Sequence, residues 1–157
     1  MRRSDEEIQD RNLIDRILAQ ALVCRLGLCR DNTPYVVPVS YGYDGTAVYF
    51  HTAREGTKIG FLNANPRACF EVENEVRVVP HADQACHWSM SYYSVIGYGT
   101  VSEIVDREEK TRALNHIMRH YSGQDWEFGD EALARTRAWR LAIEQVTGKC
   151  SKDRNRM

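Results

Sequence analysis

Tyr35-Val-Val-Pro-Val-Ser-Tyr-Gly-Tyr-Asp-Gly-Thr-Ala-Val-Tyr-Phe-His-Thr52 is the stretch that decides the architecture. Two runs rich in β-branched and aromatic residues flank Asp44-Gly45, a pair suited to a two-residue type I′ turn. The pattern predicts a β-hairpin with strands over 35–43 and 46–52. A two-residue turn sets Tyr43 opposite Thr46, Tyr41 opposite Val48 and Val39 opposite Phe50. Pro38 lies inside the first strand and donates no N–H, so that strand should be at an edge, bulged or locally unpaired. An interrupted strand beside the His51 end of its partner is a place where a flat ligand could meet exposed backbone amides.

The second strand runs directly into Ala53-Arg-Glu-Gly-Thr-Lys58. Thr52 and Glu55 have capping-box spacing, which predicts a helix over Glu55–Asn65 that stops at Asn65-Pro66. Its first amides would open outward near Arg54, Thr57 and Lys58. Free amides, a helix dipole and fixed cations together favour a phosphate group. An ordinary capped helix with a solvated charged turn accounts for the same spacing.

Further out, Ser4 and Glu7 form a second capping-box match. They open a helix with Leu13, Ile14, Ile17, Leu18 and Ala21 on one face. Residues 22–30 alternate as a strand, as do Arg67–Glu73, and Asn74–Gln84 reads as a polar connection. Trp88–Ile104 reads as one long strand in which Gly97 and Gly99 suggest a bend or bulge. Asp106 caps another helix, with Glu109 three residues on and Leu114, Ile117, Met118 and Tyr121 on its buried face. A short helix near Glu131–Thr136 and a last strand carrying Trp139, Leu141 and Ile143 complete the chain. Mostly antiparallel strands with helices at the margins predict a mainly β fold with α additions, a closed or half-open barrel. There is no GxGxxG and no P-loop, which disfavours the parallel nucleotide-binding folds.

The 157 residues, 43% hydrophobic and 27% charged, suit one globular domain, expected over 1–149 and followed by a basic, mobile tail over 150–157. A net charge of −1 gives no electrostatic case for nucleic acid or an anionic membrane. Cys24, Cys29, Cys69, Cys86 and Cys150 form no CxxC pair, no apolar run is long enough to span a bilayer, and the N-terminus is not signal-like. Reduced thiols in a cytoplasmic protein are the economical expectation. Cys24, Cys29 and Cys69 read as small core residues. His81, Cys86 and His87 match no common zinc spacing and read as a solvent-exposed loop, so no metal is expected.

Taken in order, Cys24-Arg-Leu-Gly-Leu28, Pro34-Tyr-Val-Val-Pro-Val39, Tyr49-Phe-His-Thr52, Glu55-Gly-Thr-Lys58, Asn65-Pro66, Phe70-Glu-Val72 and Ser94-Val-Ile-Gly-Tyr-Gly99 carry a resemblance. The chain resembles the nitroimidazole-resistance branch of the flavoproteins related to pyridoxamine-phosphate oxidase. The resemblance runs from about Asp10 to Lys149. It implies an FMN-binding split β-barrel, a homodimer with the cofactor in clefts at the subunit interface, and a small planar substrate. By the same resemblance, Lys58 meets the FMN phosphate with help from Thr52, and Val37, Pro38, Val39 and Ser40 run along the flavin ring. Phe50 sits at the strand end beside the cofactor, His51 is the histidine near the flavin, and Trp88 and Ser94 come from a neighbouring strand or subunit.

Two departures temper what is implied. Many relatives look like Tyr-Arg-Ser-Val where this chain has Tyr92-Tyr93-Ser94-Val95, so one cation near the cleft is missing. True oxidases of this family carry Arg-Leu-His in the last strand, and here Arg140-Leu141 is followed by Ala142. The expectation is therefore an FMN-dependent oxidoreductase, nitroreductase-like, with His51 as its catalytic residue, and not an oxidase of pyridoxamine phosphate. A non-catalytic flavin or haem binder, or a redox sensor, of the same fold is the alternative. A purely structural protein would leave the cleft without a ligand.

Overall fold

The computed structural model describes residues 4–151. After a single 3₁₀ turn at Ser4–Glu6 come β1 (Glu7–Ile8), α1 (Arg11–Gln20), β2 (Cys24–Arg30), β3 (Thr33–Val39), β4 (Tyr41–Tyr43) and β5 (Ala47–Thr52). There follow α2 (Thr57–Ala64), β6 (Arg67–Val79), β7 (Ser89–Ile104), α3 (Arg107–Ser122), α4 (Asp130–Arg135) and β8 (Arg137–Cys150). The strands make one antiparallel sheet in the order β3-β2-β6-β7-β8-β5-β4, with β1 pairing on β8. This is a split β-barrel with marginal helices, as expected.

The two edges of that sheet, β3 and β4, are consecutive in the chain and separated by Ser40 alone. Two virtual bonds of about 3.8 Å span at most ~7.6 Å between Val39 and Tyr41. Seven strands laid flat at about 4.8 Å would hold the same edges roughly 29 Å apart. The sheet must therefore curl until its edges meet. A register shift at Tyr98/Gly99 between β7 and β8 assists the curl. A Cβ at Gly99 would collide with the Ala142 carbonyl, so only glycine fits there.

Inside the curl lie Leu26, Phe70, Val72, Val95 and Leu141, capped by Ile14, Ile17 and Leu18 of α1. Tyr41 is fully buried and its hydroxyl donates to the Leu18 carbonyl at 2.5 Å, tying the seam to α1. On the outside of β4 and β5, α3 packs through a stack of His116 on Tyr49, with ring centroids 4.6 Å apart.

Several expectations need correction. Helix α1 begins at Arg11, because Asp10 rather than Ser4 supplies the cap by accepting from the Asn12 amide; Glu7 is instead paired with Lys149 in the sheet. Leu22, read as part of a strand over 22–30, lies before β2 begins and is 73% exposed. The hairpin register differs by two residues, with Tyr41 opposite Phe50 and Tyr43 opposite Val48. The Asp44 carboxylate causes this by collecting the amides of Thr46 and Ala47, both at 2.8 Å, which lengthens the turn. A shift of two preserves every facing. The Asn74–Gln84 connection is in part strand, since β6 continues to Val79 beyond a bulge at which Glu75 adopts φ +52°.

The long strand, its irregularity near Gly99, the Asp106 cap and the edge position of the Pro38 strand all stand as read. On α3, Tyr121 is exposed rather than buried, with its hydroxyl donating to the Leu22 carbonyl. Cys24 is buried as expected, but Cys69 is half-buried and Cys29 exposed. Cys150 and Ser151 belong to the fold, and the Ser151 amide donates to the Tyr92 carbonyl at 3.1 Å. The remainder of the basic tail, from Lys152, lies outside the described residues.

Candidate functional site

Alternation along β5 sends Val48, Phe50 and Thr52 inward and Tyr49 and His51 outward. Phe50 is therefore a core residue, fully buried and packed face to face with Trp139 at 6.3 Å. Its side chain cannot touch a ligand in the cleft, which corrects its expected place in the site. Thr52 is buried as well. Its hydroxyl donates to the Ala53 carbonyl at 2.7 Å and accepts from the Trp139 indole N–H at 3.1 Å. A phosphate needs donors, and the single Thr52 proton is already committed. In this geometry Thr52 fixes the strand end rather than offering a contact to a phosphate.

The capping box predicted from Thr52 and Glu55 does not form. Helix α2 starts at Thr57 after Gly56, whose φ of +137° suits only glycine, and no side chain caps it. Its leading amides are therefore left without an intrahelical partner at Thr57 and Lys58. Arg54 and Thr57 are exposed, and Lys58 is half-buried. Burial lowers the Lys58 amine below the ordinary lysine range, and among the described residues no carboxylate pairs with it. A partly desolvated cation without a counter-ion is a destabilising arrangement that an anion relieves.

His51 lies close enough to feel that charge. Burial of part of its ring, and then the Lys58 ammonium, hold its imidazole below the ordinary histidine value, so the neutral form prevails. Its ring also lines a cavity of about 260 Å³ whose other walls come from α3 and α4, among them Leu114, Ile117 and Met118. Sequence periodicity marked those α3 residues as a buried face. It gave no sign that they face His51, because that contact depends on how α3 is laid over β5.

On the other side of the seam, Val37 is half-buried and Val39 buried, while Pro38 and Ser40 are exposed. One side of β3 has no strand neighbour, so a row of its backbone groups is open to a ligand. Edge amides, a half-buried cation and a helix start fit the ring and phosphate of a flavin mononucleotide.

Along β7, Trp88 and Ser94 lie far from the level of His51, although the register Val39–Cys24–Val72–Val95 sets Ser94 near the level of Val39, three strands away. Ala138 pairs with His51 on one side and with Ile104 on the other, which marks the His51 level on β7. From Ile104 back to Ser94 the strand runs roughly 33 Å at about 3.3 Å per residue. Trp88 lies farther still and is 56% exposed, beside His81, Cys86 and His87 around a concavity of about 600 Å³. There His81 Nδ1 accepts the amides of Asp83 and Gln84, and its ring meets His87 edge-on at 4.8 Å. Among the described residues, no three His, Cys, Asp or Glu side chains converge as metal ligands.

Residues 10–150 match the family model for pyridoxamine 5'-phosphate oxidase. The chain belongs to that family. A solved structure of a candidate 5-nitroimidazole antibiotic resistance protein from Bacteroides thetaiotaomicron is 35% identical to it. That similarity covers 91% of this chain and 85% of that one, with a TM-score of 0.81. An FAD-binding protein from Mesorhizobium loti is 27% identical over 88% of this chain and 92% of that one, with a TM-score of 0.64. An uncharacterised curated protein of Rhizobium meliloti is 29% identical over 65 residues, which span 41% of this chain and 42% of that protein. Within the pyridoxamine 5'-phosphate oxidase family, this member places Ala142 opposite Ala47 and Thr100 in the middle of the sheet. No imidazole stands where the true oxidases look like Arg-Leu-His.

Proposed function

We propose that the protein binds FMN and passes electrons from the reduced cofactor to a small planar acceptor, as a nitroreductase-like member of the nitroimidazole-resistance branch. The observation that carries this reading is the half-buried Lys58, without a carboxylate partner among the described residues, at the start of α2 and within electrostatic reach of His51. Lys58 and the Thr57 and Lys58 amides bind the phosphate, and the open edge at Val37–Ser40 lies along the ring. When bound, the flavin supplies the electrons. His51 stays neutral and holds its proton on one ring nitrogen, where it can orient an acceptor or donate to it as charge develops. The similarity to a nitroimidazole-resistance protein favours a nitroaromatic acceptor, and the absence of the Arg-Leu-His imidazole argues against oxidation of pyridoxamine phosphate.

A homodimer completes the cleft in this reading. In this reading a second copy supplies Ser94 and Trp88, which lie far from the His51 level along β7. The exposed Val36, Ile96 and Tyr98 on the outer face of the sheet provide apolar surface for the contact. Five free thiols suit a reducing compartment, the cytoplasm. Among the described residues no helix is long and apolar enough to cross a membrane.

Titration with FMN and with riboflavin tests the phosphate assignment. Lys58→Ala should weaken FMN about tenfold or more and leave riboflavin unchanged, since a hydrogen bond to a charged group is worth about 1.5–3 kcal/mol. Equal affinities in wild type and variant would remove Lys58 from the site, and a protein that takes up no flavin would end the proposal. Stopped-flow reoxidation of the reduced protein by a nitroaromatic separates an enzyme from a passive binder.

A further inference from the structure

The cavity beside His51 has a composition that its neighbours do not share. Met118 projects from α3, Ala132 from α4 and Phe128 from the segment between them. With Leu114 and Ile117 they form walls that are almost wholly apolar. Among the described residues, the only polar side chains that line it are the imidazole of His51 and the hydroxyl of Thr136. Among those residues Lys58 is not part of the lining, and neither is any carboxylate or guanidinium. The contrast is with the concavity on the other flank of α3, which carries Glu109, Arg112, His116 and Arg140.

Size and charge together restrict what such a space accepts. An apolar cavity of about 150 Å³ takes benzene, so about 260 Å³ admits one aromatic ring with substituents. A carboxylate or ammonium placed against these walls would lose part of its hydration without gaining a counter-ion from the lining residues. A neutral ring keeps its apolar edges against Met118 and Phe128 and directs one polar substituent to His51 or Thr136.

We propose that this cavity is the acceptor subsite, that it takes an uncharged single-ring aromatic compound, and that Met118 and Phe128 set the size of the substituents it admits. This deepens the flavin-dependent reading given above and rests on it for the word acceptor. The binding of the ring itself needs no flavin turnover.

The probes are 4-nitrobenzyl alcohol and 4-nitrobenzoate, nearly equal in shape and differing in charge. Each is titrated into the purified protein while NMR follows the His51 ring protons and ligand saturation transfer. The alcohol should bind and shift His51, with the anion about tenfold weaker or worse. Met118→Trp fills the cavity from α3, and Ala132→Leu fills it from the solvent-exposed α4. Each should weaken the alcohol about tenfold while FMN affinity stays unchanged. The subsite is overturned if the benzoate binds as well as the alcohol, or if both filled variants keep wild-type affinity. Binding as expected without reoxidation of reduced flavin would support the subsite and remove the electron-transfer reading. Reoxidation by the alcohol that survives both filled variants would keep that reading and overturn the subsite.

Discussion

The Lys58 ammonium acts on His51 through its charge, which makes the coupling measurable. Burial is the larger cause of the lowered His51 value and the Lys58 ammonium the smaller. Lys58→Met should therefore raise the His51 pKa but leave it below the ordinary value of about 6.5. An NMR titration of the ring protons reads this directly, and an unchanged value would show that the two do not interact. His116 is lowered for the same leading reason, burial. Below about pH 6.5 the unfolded chain takes up protons that both folded histidines resist. Stability should accordingly fall as pH is lowered through that value, and keep falling until the folded values are passed. Urea midpoints at pH 7.5 and 5.5 compare the two conditions, and His51→Gln with His116→Gln should flatten the difference. At this scale the strand end at His51 and the nearby Lys58 were legible in the sequence, whereas the α3 and α4 residues that face His51 were not. The sequence did not show how Phe50 and Thr52 are engaged, because Trp139, which contacts both, lies on a strand far along the chain.

For single elements, periodicity survives where turn chemistry does not. Asp44-Gly45 looks like a two-residue turn, yet the Asp44 carboxylate accepts from Thr46, Ala47 and the Tyr49 hydroxyl and imposes a longer one. Those bonds lower the Asp44 pKa in spite of its partial burial. Asp44→Ala should destabilise the fold by about 1–2 kcal/mol, with a smaller loss for Asp44→Asn. Gly42 is the more severe test. A Cβ there would strike the backbone of His116 and Ile117, so α3 rests on β4 only because that residue has no side chain. Gly42→Ala should cost more than Asp44→Ala in urea unfolding, and it should also abolish ligand binding beside His51 by lifting α3. Nothing in the sequence could reveal this, since one glycine between two tyrosines reads as an ordinary strand residue. The continuation of β6 past Asn74 was hidden in the same way: a bulge breaks the alternation that marks a strand.

Across the whole molecule the strands form one antiparallel sheet. A barrel was readable from the antiparallel pattern. The separation of Trp88 and Ser94 from His51 was not, because it follows from the pairing of β7 with β8 over almost their entire length. If a second copy supplies those residues, light scattering should give twice the chain mass. Ile96→Glu with Tyr98→Glu, both on the exposed face, should return a folded monomer with weaker FMN binding. A wild-type monomer that holds FMN tightly would show the cleft to be complete in one chain.

The one-residue link at Ser40 also carries a consequence for the order in which the molecule is made. Strands β4 and β5 form a hairpin that reaches the remaining sheet only through β8, the last strand of the chain. While a ribosome is still translating α4, β2, β3, β6 and β7 can all have paired. The β4–β5 arm then hangs from Ser40 with no strand to receive it. Closure is thus a terminal event set by the emergence of Arg137–Cys150, and until then His51 has no Ala138 to pair with.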